Sequence, residues 1–356
     1  MERVDYHRRL REIIAVDQGV DEVEILTPSL SQLRMGQIDR GFLDIGDLLP
    51  QVSSDELDQV LTKMASTGQR AIGVISIYYS DVVQTDGKNL YKTVRPPEWW
   101  NDLLRRHFSK ADFMRSQRES EFVWTNFKVS KTARKKIDRL AVTPSFRREF
   151  ERLVSRAKLA GRVLKGNCVR REELLSALEG KTVAVVGNAR SLDRGSHGRD
   201  IDAHDIVIRF NRVPIVSTIS HGQRTTWVAT GVPISPQRMA SLGATHVLWL
   251  SRYRRKIPSE TAGIDRLYLH PSREIDVLAK RSGVARPTTG LTAIDFLCSS
   301  EARKITLFGF DFYQSQSSSS HQTIETAPHQ FDKEEVFVRS LVEKDARFEF
   351  RQAATS

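Results

Sequence analysis

The chain has 356 residues, 39% of them hydrophobic and 28% charged, with 55 Lys and Arg against 44 Asp and Glu for a formal charge of +11. That length allows two domains with cores of their own, and that charge asks for an anionic partner: a nucleotide, an acidic glycan, a membrane surface or nucleic acid. No apolar run is long enough for a transmembrane helix, the N-terminus MERVDYHRRLREII has no apolar signal core, and the two cysteines, Cys168 and Cys298, are expected free and buried rather than part of a disulfide framework.

Residues 1 to 127 read as a first, partial α/β module. Phe42 to Pro50 is a strand running into a loop. Ser53-Ser54-Asp55-Glu56 has the form of a capping box, and the helix it opens carries Leu57, Val60, Leu61 and Met64 at helical spacing. Arg70 to Tyr78 is a buried strand, and an amphipathic helix through Leu103, Leu104 and Phe108 follows the Trp99-Trp100 pair, which is expected in the core. This order resembles the later half of a class I methyltransferase over residues 35 to 120. The glycine-rich loop that would hold S-adenosylmethionine is missing, so the module is expected to be degenerate and catalysis there is not expected.

Residues 128 to 178 are a basic helical linker, with cations from Lys128 to Arg171. Thr143-Pro144-Ser145 is a helix start. Phe146, Phe150, Leu153, Leu159 and Val163 form one apolar stripe of the helix that follows. Such a helix either packs its stripe on the next domain or lies on an anionic membrane. No RNP, KH or zinc-finger pattern accompanies the charge, so no nucleic-acid partner is expected.

Residues 179 to 356 are the second module. Val183 to Val186 is an apolar run stopped by Gly187-Asn188, and Ile206 to Ile208 is a second one ending at Arg209-Phe210-Asn211. Runs of this kind are strands buried on both faces, as in a parallel sheet. Two of them ending in Asn place two amides at the carboxyl edge, where open α/β sheets bind ligands. Asn is also an ordinary turn residue. Further strands are read at Thr225 to Thr230, Thr245 to Leu250, Leu267 to Leu269 and Lys304 to Phe310, alternating with helices in a doubly wound α/β pattern. Thr288-Thr289-Gly290 opens a helix, and a helix N-terminus with hydroxyls beside it attracts anions; Thr288 also serves as a plain N-cap. A serine-rich segment, Ser315 to Ser320, is followed by His321, and later by His329 to Glu334.

Together these stretches resemble the eukaryote-type sialyltransferase superfamily, glycosyltransferase family 29-like. The large sialylmotif is matched by Val185-Val186-Gly187-Asn188, Ile201-Asp202-Ala203-His204-Asp205 and Arg209-Phe210-Asn211-Arg212-Val213-Pro214. The small motif is matched by Pro287-Thr288-Thr289-Gly290-Leu291 with Leu307-Phe308-Gly309-Phe310, and the very short motif, HxxxxE, by His329 and Glu334. The order is the family's, and the three cover residues 181 to 345. The resemblance implies a Rossmann-like, GT-A-variant domain that moves a sugar from a CMP-activated donor to a glycan or lipid-linked acceptor, with inversion and without a metal or other cofactor. It implies that Asn188 and Asn211 contact CMP, that Thr288, Thr289 and Gly290 hold donor oxygens, and that His329 is the general base. His321 is a candidate for meeting the departing phosphate. Val183 stands where animal members carry the first motif's cysteine, and Cys298 is offset from the second. The expectation is therefore a bacterial-type cytoplasmic enzyme, with peripheral contact to an anionic membrane. The donor sugar is sialic acid or the related acid Kdo; the rival reading is a non-catalytic sugar-nucleotide-binding assembly module.

Overall fold

A computed structural model of the chain describes residues 3–20, 25–37, 41–80, 82–116, 120–141, 145–312 and 330–351. The chain divides into two compact units, one made of Met1–Tyr79 and Leu90–Arg147, the other of Ser80–Asn89 and Arg148–Ser356.

The first unit holds a five-stranded sheet of β1 (Ile25–Leu26), β2 (Phe42–Asp44), β3 (Ala71–Ser76), β4 (Asp112–Arg115) and β5 (Glu121–Thr125), in the order β1-β2-β3-β5-β4. The first three strands are parallel, while β5 runs antiparallel to both β3 and β4. All six residues of β3 are buried, because helices cover both faces. Ala71 and Ile75 join Leu57, Val60, Leu61, Met64, Trp100, Leu103 and Leu104 in one cluster. Ile72 and Val74 point the other way, toward Tyr6, Leu10, Ile14, Ala133 and Ile137. That alternation is the two-residue period of a strand, and each large side chain so buried contributes roughly 1.5–3 kcal/mol. Trp100 is in the core as expected; Trp99 is half-buried under the Arg95 guanidinium. The capping box at Ser53 does not form: Ser53 is the N-cap, but its hydroxyl donates to the Glu56 carboxylate at 2.9 Å instead of accepting from the helix backbone.

The second unit is built on seven parallel strands: β6 (Thr182–Val186), β7 (Ile206–Phe210), β8 (Trp227–Thr230), β9 (His246–Trp249), β10 (Leu267–Leu269), β11 (Lys304–Phe308) and β12 (Phe348–Arg351). Their order is β10-β9-β8-β7-β6-β11-β12. The chain winds outward from β6 to β10, then returns to β11 on the other side of β6. Helices close both faces, with Leu291, Ile294 and Leu297 packed among Val183, Val185 and Ile305 on one and Ile201 among Ala184, Val186 and Val207 on the other. This is the doubly wound α/β domain read from the sequence.

The basic stretch 128–178 does not stay together. Helix Lys131–Ala141 buries Ala133 and Ile137 in the first unit's core, whereas residues 148–178 belong to the second unit. Helix Ser145–Leu164 docks through Leu159, through the Ser155 hydroxyl on the Ile257 carbonyl, and through Arg162, which donates to the carbonyls of Ile264 at 2.6 Å and Asp265. The predicted stripe is thus split. Leu159 lies nine residues from Phe150, half a turn round at 100° per residue, so Leu159 packs while Phe150 is 58%, Leu153 62% and Leu164 87% exposed. The segment Thr143-Pro144 and the Phe146 side chain lie outside the described residues. Among the described residues, no helix is long and apolar enough to cross a membrane. Both cysteines are free and half-buried, more open than expected.

Candidate functional site

The outward and return halves of the sheet part company between β6 and β11, where an open α/β sheet leaves a crevice at its carboxyl edge. The backbones there are drawn tightly together. Gly187 N–H donates to the Phe308 carbonyl at 2.7 Å, and a Cβ on Gly187 would strike the Gly309 carbonyl oxygen. Only glycine lets β6 leave the sheet this close to β11.

Asn188 follows, and its Nδ2 donates to the Phe210 carbonyl at the end of β7, at 3.3 Å. One residue beyond Phe210 stands Asn211 with φ 56°. That is the left-handed region, which Asn tolerates better than other side-chain-bearing residues. Its Oδ1 accepts from Gly231 N–H at 3.1 Å and from the Thr230 hydroxyl at 3.4 Å. The amides of the large motif therefore sit side by side, and Asn211 binds the loop after β8 to the end of β7. Its own Nδ2 has no protein partner among the described residues.

The Thr288–Gly290 turn arrives at the same place. Thr288 is the N-cap of helix Thr289–Cys298 and accepts from Leu291 N–H at 3.1 Å. Its hydroxyl also donates to Oε2 of Glu334 at 2.7 Å, and its backbone N–H donates to Oε1 at 2.8 Å. Glu334 is buried, and burial pushes its carboxyl up to about 7 against the two Thr288 hydrogen bonds, which pull it down. The N-cap reading of Thr288 is thus correct, and both its hydrogen-bonding groups are committed within the protein. Thr289 is the neighbour left facing the crevice region: its Oγ1 lies 3.2 Å from where a Cβ on Gly231 would stand. Gly290 rests against the Phe310 ring, which meets Phe210 edge-on with centroids 5.9 Å apart. The first N–H groups of a helix lack intrahelical partners, so this end presents donors with partial positive charge beside the two amides.

Asn188, Asn211, Thr288, Thr289 and Gly290 are brought to one edge. His329 and His321, with Ser315 to Ser320, lie outside the described residues. The sequence motif names Glu334 without giving it a task; its partner is 46 positions away, and no spacing shows that. Gly231 is likewise visible only in three dimensions, and so are the contacts of the Phe310 ring, though Phe310 itself is read in the small motif. Among the described residues no three His, Cys, Asp or Glu side chains gather as a metal site. The arrangement offers amides that both donate and accept, suited to a base or ribose, and a helix N-terminus suited to an anion.

Residues 122–259 match the sequence model of glycosyltransferase family 29, the sialyltransferases. The match takes in the large motif and ends before the small one, and with it the resemblance read from the motifs is borne out. A curated chicken (Gallus gallus) protein, CMP-N-acetylneuraminate-beta-galactosamide-alpha-2,3-sialyltransferase 1, is 48% identical over 44 residues, 12% of this chain and 13% of the relative, so the chain matches well under two thirds of that protein's length. Among solved structures, a mammalian sialyltransferase in complex with Gal-beta-1-3GalNAc-ortho-nitrophenol aligns over 49% of this chain and 70% of its own, at 19% identity and TM-score 0.34. The sialyltransferase CstII from Campylobacter jejuni, in complex with cytidine-5'-monophosphate, aligns over 48% and 79%, at 15% identity and TM-score 0.33.

Proposed function

We propose that the chain is a glycosyltransferase that moves sialic acid from CMP-sialic acid to a glycan hydroxyl, with inversion and without a metal. The observation that carries this reading is the meeting of Asn188 and Asn211 with the Thr289–Gly290 helix start at one carboxyl edge. In this reading the amides hold the cytidine and its ribose, and the helix N-terminus with the Thr289 hydroxyl holds donor oxygens. Thr288 acts from behind, through Glu334. The acceptor hydroxyl attacks the anomeric carbon as the bond to the CMP phosphate oxygen breaks, and the hydroxyl proton passes to His329, whose imidazole has an unperturbed pKa of about 6.5. The motif order supports that role for His329. His321 remains the proposed donor to the departing phosphate.

The reading extends to a bacterial-type enzyme at the inner face of an anionic membrane, holding a lipid-linked or free glycan acceptor. Helix Ser145–Leu164 supports it, exposing Phe150, Leu153 and Leu164 with Arg152, Arg156, Lys158 and Lys165 around them. The first unit is proposed to be a degenerate methyltransferase-like module without chemistry of its own.

The test is to give the full chain CMP-sialic acid and CMP-Kdo separately and measure CMP release with and without candidate acceptors. Release from neither donor, with no CMP binding by calorimetry, would sink the reading; release only from CMP-Kdo would change the sugar. Loss of turnover in EDTA with recovery in Mg²⁺ would refute metal independence. His329→Ala should still fold and bind CMP but transfer sugar about 10²–10⁴-fold more slowly; near-normal turnover would remove His329 from the mechanism.

A further inference from the structure

The loop that leaves β9 carries Ser251-Arg252-Tyr253-Arg254-Arg255-Lys256. Because β9 is parallel to β7 and β8, this loop emerges at the same carboxyl edge as Asn211 and Gly231. The connection is direct. A Cβ on Gly231 would stand 3.2 Å from Thr289 Oγ1 and 3.4 Å from Ser251 Cβ, and Ser251 Oγ accepts from Tyr253 N–H at 3.3 Å. Around the Tyr253 ring stand three cations: Lys256 Nζ at 5.0 Å, Arg286 Cζ at 5.6 Å and Arg255 Cζ at 5.9 Å from its centroid. Arg286 comes from the other side, two residues before Thr288. Arg254, Arg255, Lys256 and Arg286 are all exposed. Arg252 is paired with Asp276 at 3.0 Å, but Arg254, Arg255 and Lys256 have no acidic partner among the described residues.

Like charges gathered about one ring repel each other, and the ring's face offsets only part of that cost. An anion brought among them recovers it. In the proposed reading the donor's phosphate oxygens are taken by the Thr289–Gly290 helix start. Arg254, Arg255 and Lys256 are supplied by a different element, the loop after β9. We infer that this rim, resting on the proposed transferase reading, binds an anionic group of the acceptor: a carboxylate, sulfate or phosphate carried either by the glycan or by the lipid pyrophosphate that bears it. The rim thereby selects acidic over neutral acceptors.

The experiment uses the full chain and an Arg254→Gln/Arg255→Gln/Lys256→Gln variant, whose changes all fall on exposed side chains. Binding is measured to three probes: a neutral oligosaccharide, the same oligosaccharide bearing a carboxylate or sulfate, and the neutral oligosaccharide on a polyprenyl pyrophosphate in neutral detergent micelles. CMP affinity and the thermal midpoint are measured in parallel. The expected result is retention of one or both charged probes over the neutral one, weakened by added salt, and about tenfold weaker in the variant, with CMP affinity and midpoint unchanged. Which charged probe is retained tells whether the charge belongs to the sugar or to its carrier. Equal retention of all three probes, or a variant that binds the charged probes as well as the native chain, overturns the inference. So does a variant that loses CMP affinity, since the rim would then serve the donor. A native chain that binds no CMP defeats the transferase reading instead, and the three probes still decide whether the rim holds anions.

Discussion

Glu334 holds the Thr288–Gly290 turn by taking both of the hydrogens Thr288 can give. Removing that carboxyl in Glu334→Ala takes the acceptor from the half-buried Thr288 N–H and from its hydroxyl hydrogen, a cost of about 1 kcal/mol for each hydrogen bond lost, and should weaken CMP binding through the loosened turn. The pH dependence follows from the carboxyl being pushed up to about 7 by burial, above the ordinary glutamate value of 4.5. Between those two values the unfolded chain has released a proton that the folded chain keeps. Stability contributed by this group is therefore lost as pH rises from about 4.5 to about 7, by roughly 3 kcal/mol at the outside. Glu334→Gln cannot ionise, so urea unfolding at pH 5 and pH 7.5 should show a smaller fall for it than for the native chain; an equal fall would mean the carboxyl is not held as described. None of this is legible in the sequence, where Glu334 is one letter of a short motif and Thr288 is far away along the chain. Asn188 and Asn211, by contrast, are legible, because each ends a buried apolar run and parallel strands put such ends at one edge.

At the scale of elements, the strands of the second unit are the easiest part to read. Each is a short apolar run between turn residues, and being buried on both faces leaves no polar alternation to blur it. Helix Ser145–Leu164 is harder. Its residues Phe150, Leu153 and Leu159 look like one stripe when counted loosely, yet Leu159 faces the unit and the other two face out. What docks the helix is partly polar, the Ser155 hydroxyl and the Arg162 guanidinium on backbone carbonyls, and hydrophobic periodicity carries no trace of such contacts. The exposed stripe gives a prediction. A Leu153→Glu/Leu164→Glu variant should lose co-sedimentation with phosphatidylglycerol vesicles while its stability stays within about 0.5 kcal/mol of the native chain. Phosphatidylcholine vesicles should retain neither protein. Equal retention of variant and native chain on phosphatidylglycerol would show that this face does not meet lipid.

For the molecule as a whole, the units are not consecutive in the chain. Ser80–Asn89 belongs to the second unit although the residues before and after it belong to the first. Its Asp86-Gly87 turn falls inside residues 1 to 127, the stretch read from the sequence as the first module, since turn residues give no hint of which unit a hairpin serves. Within the second unit the segment is well held. Lys88 bridges to Ser217, and buried Asn89 donates from Nδ2 to the carbonyls of Ser80 at 2.8 Å and Ile215 at 3.1 Å. Asn89→Ala should therefore destabilise the second unit by about 2–4 kcal/mol, read as a shift in the unfolding of Trp227 and Trp249 fluorescence. Deleting residues 1–147 should do the same, because it removes the segment along with the first unit. An unchanged second unit in either case would show that the segment contributes nothing to it.

This interleaving bears on how the chain is made. Asn89 and Ile215 are 126 positions apart, and a ribosome adding about 5–20 residues per second needs on the order of ten seconds to cover that distance. During this interval Ser80–Asn89 has left the tunnel while the stretch after β7 that receives it, Ile215 to Ser217, does not yet exist. The residues around it, Tyr79 and Leu90, are meanwhile free to settle with the rest of the first unit. Nascent chains arrested before Ile215 emerges should be cut by protease within 80–89, and chains arrested after the second sheet is complete should resist cutting there. Resistance at both lengths would mean that the segment finds its shelter before its eventual partner has been synthesised.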